Sequence, residues 1–217
     1  MRVINNFMRC IANANDSKEE FFMSTQKRRM STETMVLAAV LTALVIVLQL
    51  VGAVVRFGPF SISLVLVPIV IGAASCGAGV GAWLGLIFGV VVLLSGDAAA
   101  VLAVNPLGTV ITVLIKGTAC GLLAGLTYKY LEKFSRYLAV AIAALVCPIV
   151  NTGVFLLGCL LFFMPTITEW ATAAELGGNV AEYMIFVLVG ANFLVEVAVN
   201  IVLSPVIIRL LNYRKQA

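Results

Sequence analysis

The chain alternates between long apolar stretches and shorter polar ones. Six apolar segments occupy most of the chain after residue 33, at about 34–55, 61–75, 78–95, 108–128, 137–163 and 183–211. A helix needs about 20 apolar residues to cross about 30 Å of hydrocarbon. The pattern therefore predicts an all-α integral membrane protein, a compact bundle of six transmembrane helices. The second segment is short and contains Pro68, which leaves a re-entrant element and five spans as the alternative.

Composition excludes the other broad classes of protein. Of the 217 residues, 62% are hydrophobic and only 11% are charged. A soluble domain is about 45–50% apolar and about 25% charged. The chain lacks the residues that would cover the surface of a soluble globule, and it is too apolar to be disordered.

The distribution of basic residues predicts the orientation of the bundle. With six spans, twelve of the 14 Lys and Arg residues lie on one side of the membrane. They are Arg2, Arg9, Lys18, Lys27, Arg28, Arg29, Lys129, Lys133, Arg136, Arg209, Arg214 and Lys215. The positive-inside rule makes that side, and with it both termini, cytoplasmic. Five spans would place one basic cluster outside, so the charges favour six.

Three regions follow from this topology. Residues 1–33 form a polar cytoplasmic tail in which Met23 and Met30 offer alternative starts, 34–212 form the membrane domain, and 213–217 form a basic cytoplasmic tail. The predicted outer connections, 3–4 (GDAAAVLAVNPLG) and 5–6 (MPTITEWATAAELGGNVAE), are long. Connections of that length are binding elements or lids in many bundles, and ordinary solvated loops in others.

Small residues recur every four positions in three segments, which aligns them on one helical face and lets another backbone approach closely. These residues are Gly77, Gly81, Gly85 and Gly89, then Gly117, Gly121 and Gly125, and in the first segment Ala39 and Ala43. The glycine ridges are most simply contacts inside the bundle. The alanine pair is either such a contact or a docking surface for a second membrane protein.

Two ionisable residues lie inside the apolar segments, where each costs several kcal/mol unless it is paired or hydrated. They are Lys116 in the fourth segment and Glu196 in the sixth. Asn192 and Asn200 flank Glu196 at a spacing of four and complete a polar stripe. The side chains either form a structural ion pair with asparagines bonding across helices, or line a ligand pocket open to the outside. We favour the pocket.

Further polar candidates accompany this stripe. Asn151 lies near Pro148, where we expect a broken helix to expose backbone acceptors. Asn105 ends the 3–4 connection and Trp170 lies in the 5–6 connection, so both are candidate loop contributors.

Several chemistries find no support in the residues. The chain has no His and no P-loop pattern, so neither a His-based hydrolase nor an ATPase is expected. The five Cys are scattered and read as packing residues rather than a metal site. We therefore expect no enzyme, no cofactor and no bound metal. The two halves show no inverted repeat of the kind found in many secondary transporters.

Residues 34–212 resemble the substrate-binding S component of energy-coupling factor (ECF) vitamin transporters. The resemblance rests on six short spans, a basic N-terminus, Ala39-Val40-Leu41-Thr42-Ala43, long outer loops and the stretch GPFSISLVLVPIVIGA. It implies a high-affinity vitamin-binding protein of the bacterial plasma membrane. Its partners would be a membrane scaffold subunit and two cytoplasmic ATPases, and the small-residue face of the first span would dock on the scaffold through Ala39 and Ala43.

The same resemblance implies that Lys116, Asn151, Asn192 and Glu196 hold the ligand, with Asn105 and Trp170 as contributors. Lys116 suits a carboxylate, so pantothenate ranks first. Riboflavin and folate follow, because the candidate residues include few aromatic rings for stacking. The alternatives are a stand-alone secondary transporter or channel, and a structural membrane-assembly factor.

Overall fold

The computed structural model describes residues 31–54, 56–57, 60–61, 64–173 and 180–216. The chain divides into two units, Met1–Met35 and Val36–Ala217. Most of the predicted N-terminal tail, including Cys10, lies outside the described residues. The described helices are α1 (Thr32–Gly52), α2 (Leu66–Cys76), α3 (Ala78–Leu94), α4 (Ala99–Leu102), α5 (Pro106–Leu131), α6 (Arg136–Phe162), α7 (Met164–Ala173), α8 (Val180–Glu182) and α9 (Ala191–Gln216).

The apolar segments of the sequence correspond to helices of unequal length. Four helical stretches are long and apolar enough to cross a membrane, namely α1, α5, α6 and the run Val180–Arg209. Helices α2 and α3 have 11 and 17 residues, or about 16 Å and about 26 Å of helix. A predominantly helical membrane protein is thus supported, with one short antiparallel pair of strands, β1 (Arg56–Phe57) and β2 (Phe60–Ser61). The number of six spans and the cytoplasmic termini stay predictions.

The short helix α2 lies in the middle of the bundle. It contacts α3, α5, α6 and α9, and residues Leu66 to Val70 are all buried. Pro68 falls in its first turn, where its missing N–H leaves no helical hydrogen bond unmade. Gly77, at a φ of 95°, then turns the chain directly into α3. Central packing accounts for a stretch too short to span the membrane.

Helices α3 and α5 approach each other at their glycines in antiparallel register. A Cβ on Gly85 would meet the carbonyl oxygen of Gly117, and one on Gly89 would lie 2.9 Å from the carbonyl oxygen of Val113. Gly81 and Gly121 face each other in the same way. These contacts confirm that the two ridges are packing surfaces inside the bundle. Gly77 does not belong to the contact, since a Cβ there would meet nothing within 4 Å.

Helix α6 packs against α5, also in antiparallel register. Gly158 lies against the side chain of Thr112, and a Cβ on Gly108 would lie 2.9 Å from that of Phe162. Contrary to the sequence expectation, Pro148 does not break α6, which is continuous over 27 residues. The neighbouring helices hold it on both sides, and such packing overrides the loss of one backbone hydrogen bond.

The described parts of the connection between α6 and α9, residues 164–173 and 180–190, are helical. Helix α7 begins directly after Phe163, and its buried residues Ile167 and Ala171 attach it to the core. After α8, residues Tyr183–Gly190 form a π-helix that continues into α9. Helix α9 extends to Gln216, so the backbone of most of the predicted C-terminal tail is helical.

The outer surface of the described bundle is largely apolar. Side chains on several helices are more than half exposed, for example Val40, Ile115, Leu157 and Val202. Continuous apolar surface of this kind would be unstable in water and fits contact with lipid. The buried Cys120, Cys147 and Cys159 confirm the packing role expected for these cysteines.

Candidate functional site

A cavity opens at one end of the bundle, and four of the six predicted ligand residues line it. Lys116 comes from α5, Asn151 from α6, and Asn192 and Glu196 from α9. The cavity contains about 600 Å³ of empty space, including the part open to solvent.

The antiparallel register of α5 and α6 explains why these residues meet. Lys116 lies ten residues after Pro106, where α5 begins, and Asn151 lies eleven residues before Phe162, where α6 ends. Both are therefore about 15 Å from the same end of the bundle. That end is opposite the basic link between α5 and α6. On the topology predicted from the charges, the cavity opens to the outside.

The charge of Lys116 is placed against aromatic rings. Its Nζ lies 5.2 Å from the ring centre of Phe155 and 5.7 Å from that of Phe88, within the range of a cation–π contact. An ion pair requires an N–O distance of no more than 4.0 Å. Among the described residues, Arg136 and Glu132 meet this criterion, at 3.8 Å. A direct Lys116–Glu196 pair, the structural alternative, is thus not formed at this distance.

The asparagines present carbonyl oxygens without a donor. Asn151 is only 5% exposed, and neither its Oδ1 nor that of Asn192 has a hydrogen-bond partner among the described residues. Asn200 lies one turn beyond Glu196, where its Nδ2 donates to the Glu196 carbonyl oxygen at 2.8 Å. Asn200 is buried outside the cavity lining. Buried acceptors without donors are rare in proteins and mark places where a ligand or water binds.

Sequence reasoning missed nine residues of the lining, and four of them are polar or aromatic: Asp97, Thr152, Phe155 and Phe193. Asp97 follows α3, and its Oδ2 accepts a hydrogen bond of 3.4 Å from Nε2 of the fully buried Gln49 in α1. A buried Gln in the first span and an Asp directly after the third were visible signals. The two phenylalanines weaken the argument that the site lacks aromatic rings.

Two predicted loop contributors lie elsewhere. Asn105 is the N-cap of α5, where its Oδ1 accepts from the backbone N–H of Gly108 at 3.0 Å. Trp170 is half-buried on α7 and packs against the hydrophobic core. Neither lines the cavity. The Asn-Pro pair before an apolar segment is explained by helix capping alone.

An apolar cleft adjoins the polar cavity, with about 890 Å³ of empty space including the part open to solvent. Helix α6 and the π-helix form its sides, with exposed residues such as Ile149 and Phe186. Thr152, Val189 and Phe193 line both spaces.

The predicted docking residues lie on the outside of the bundle. Ala39 and Ala43 are exposed on α1, whose buried side is formed by Leu41, Val45 and Gln49. Of the two interpretations of this alanine pair, packing against the described part of the chain does not fit that exposure. A free strip of small residues remains on the surface of a membrane helix.

One of three comparisons with known proteins identifies the family of the chain. The family model for the substrate-specific component of ECF transporters matches residues 33–208. Searches of curated proteins and of solved structures each found no match. The matched range contains all but the first residue of α1, all of α2 to α8 and most of α9, and with them every residue of the cavity lining. The chain therefore belongs to the substrate-specific components of ECF transporters, a family of multi-pass membrane transport subunits that are not enzymes.

Proposed function

We propose that the protein binds a micronutrient in the cavity from the outside and delivers it through an ECF scaffold subunit carrying two ATPases. The convergence of Lys116, Asn151, Asn192 and Glu196 from three helices carries this proposal. Polar and charged groups gathered in one cavity inside an apolar bundle are costly, and function is the usual reason for that cost. The family membership supplies the transport context.

The cargo follows from the chemistry of the lining. Lys116 offers an ammonium group to a carboxylate, which ranks pantothenate first on this criterion. Phe155 and Phe193 offer rings on which a flat ligand can stack. Riboflavin and folate are therefore stronger candidates than the sequence alone suggested, although pantothenate still ranks first. The proposal that the lining binds the cargo holds for any of these three compounds.

Delivery requires a surface for the scaffold, and the exposed Ala39 and Ala43 provide a flat strip on α1. Small residues let the backbone of a partner helix come into contact with this helix. Van der Waals packing can then hold two membrane proteins together, although the hydrophobic effect does not drive association within lipid. We propose that this strip docks on the scaffold subunit.

The proposal is tested by reconstitution with a scaffold and its two ATPases. The purified chain should co-purify with that module, and uptake should stop when the P-loop lysine of the ATPases is replaced. In parallel, thermal shift against pantothenate, riboflavin, folate and thiamine should reveal one stabilising compound. Uptake by the chain alone, without the ATPases, would instead establish the stand-alone transporter.

A further inference from the structure

We infer that the link between α5 and α6 binds the headgroups of anionic phospholipids, through basic side chains that lie among exposed aromatic rings. The link surface consists of Lys129, Tyr130, Lys133, Phe134, Arg136 and Tyr137. It lies at the end of α5 opposite the cavity. The inference therefore goes beyond the proposed binding and delivery of a micronutrient and does not depend on it.

The lengths of the two helices place the link at the depth of the lipid headgroups. Helices α5 and α6 have 26 and 27 residues, or about 39–40 Å of helix. The hydrocarbon core is about 30 Å thick, and the bilayer is about 40–45 Å thick with both headgroup layers. Even at the usual tilt of about 20°, these helices are longer than the hydrocarbon core. Their ends therefore reach the headgroup layers.

The link itself is a tight turn that stays close to the membrane. The backbone N–H groups of Phe134 and Ser135 both donate to the carbonyl oxygen of Leu131, at 3.0 Å and 3.2 Å. Helix α5 ends at Leu131 and α6 begins at Arg136. Because only four residues separate the two helices, the side chains of the link surface remain at the level of the helix ends.

Three aromatic rings of the link surface point away from the bundle. Tyr130 is 71% exposed, Phe134 is 85% exposed and Tyr137 is 64% exposed. In water, an exposed phenyl ring gains nothing from the hydrophobic effect. Tyrosine rings are enriched at the membrane–water interface, where the apolar body of the ring meets lipid and its hydroxyl meets water. A membrane surface around the link therefore accounts for these exposed rings.

The charges of the link surface select the kind of lipid. Residues 126–140 contain three basic side chains, Lys129, Lys133 and Arg136, and one acidic side chain, Glu132. Glu132 lies 3.8 Å from Arg136, and both lysines are exposed. A lysine near the membrane buries its aliphatic stem and keeps its ammonium among the headgroups. Each basic residue near an anionic membrane surface strengthens binding about fivefold, so the link surface favours headgroups with net negative charge.

The inference is tested with tryptophan reporters at the two ends of α5. Phe134→Trp marks the link surface. Leu107→Trp, at a position that is 71% exposed near the opposite end of α5, is the matched control. Both are made in a background with Trp83→Phe and Trp170→Phe, which removes the two native tryptophans. The full chain is reconstituted in vesicles of phosphatidylcholine and phosphatidylglycerol, in which one lipid at a time carries bromine close to its headgroup.

Quenching of tryptophan by bromine gives the relative binding constant of the two lipids at each reporter. At residue 134, anionic phosphatidylglycerol should be preferred about fivefold or more over zwitterionic phosphatidylcholine. At residue 107, the two lipids should bind about equally. Equal preferences at the two reporters would overturn the inference, and the exposed rings would then fit a protein partner instead.

Charge-removing variants identify the residues responsible. Lys129→Gln combined with Lys133→Gln should remove most of the preference at residue 134. Arg214→Gln combined with Lys215→Gln removes the same charge from the C-terminal end and should leave that preference in place. A preference that survives the loss of both link lysines would also overturn the inference. Since the assay needs neither cargo nor ATPases, such a failure would leave the proposed transport function standing.

Discussion

At the scale of single residues, Lys116 shows how surroundings decide the role of a charge. A lysine in an apolar segment is compatible with a structural ion pair or with a binding site, and the sequence left both open. The structure places the ammonium against two aromatic rings at the wall of a cavity. The expected consequence of removing it is therefore a change in ligand binding more than in folding.

The first prediction concerns Lys116→Met. We expect the melting temperature of the ligand-free protein to change little, since Met fills the same apolar surroundings, while affinity for an acceptor-bearing ligand falls. Breaking a buried ion pair would instead cost about 3–5 kcal/mol of stability. The measurements are the apo melting temperature and the ligand affinity.

The matched control adds Glu196→Gln. If Lys116 and Glu196 were a structural pair, the single variant would be unstable and the double variant would regain most of the lost stability. That pattern would show that Lys116 stabilises the fold and does not bind the ligand.

At the scale of elements, the contact between α3 and α5 is set by glycine. The chain repeats small residues every four positions in both helices, and their backbones meet where these residues face each other. The sequence predicted both the period and its meaning. Which glycines take part depends on the register, and Gly77 and Gly79 fall outside the contact.

The second prediction uses this difference. Gly85→Ala places a methyl group against the carbonyl oxygen of Gly117, so a backbone must shift, and we expect a loss of about 1–3 kcal/mol. Gly79→Ala, in the same helix, meets nothing within 4 Å and should be neutral or stabilising by up to about 1 kcal/mol. Thermal melting of the purified variants measures both. Equal melting temperatures would contradict the register of the contact.

The third prediction concerns α1 as a docking element. Replacing Ala39 and Ala43 together by Leu should prevent co-purification with the scaffold and ATPases, because the bulkier side chains hold the partner helix away. Ligand binding by the isolated chain should be unchanged, since both positions are exposed and outside the cavity lining. Ala198→Leu, at an exposed position of α9, is the control and should assemble normally. Assembly of the double variant would exclude this strip as the docking surface.

At the scale of the whole molecule, the apolar bundle must be oriented with respect to the membrane. The basic link between α5 and α6 and the cavity lie at opposite ends of α5. From the positive-inside rule we expect the link in the cytoplasm and the cavity mouth outside. The proposed binding of a substrate from the outside requires this arrangement.

The fourth prediction tests this orientation. In a background without native cysteines, Arg136→Cys should react with a membrane-impermeant maleimide only after the cells are opened, whereas Glu175→Cys should react in intact cells. Position 175 lies outside the described residues, and its outer location is inferred from the topology alone. Labelling of both positions in intact cells would refute the six-span orientation.

The sequence by itself determined the class of protein and most helix positions, because apolar length and the spacing of glycines act locally along the chain. It also identified Lys116, Asn151, Asn192 and Glu196, since polar groups in apolar segments are costly wherever the helices pack. Only the tertiary structure decided that these four share one cavity and that Asn105 does not line it. The structure also added Asp97 and the two phenylalanines to the site, because their contribution depends on the register between helices, which no single segment encodes.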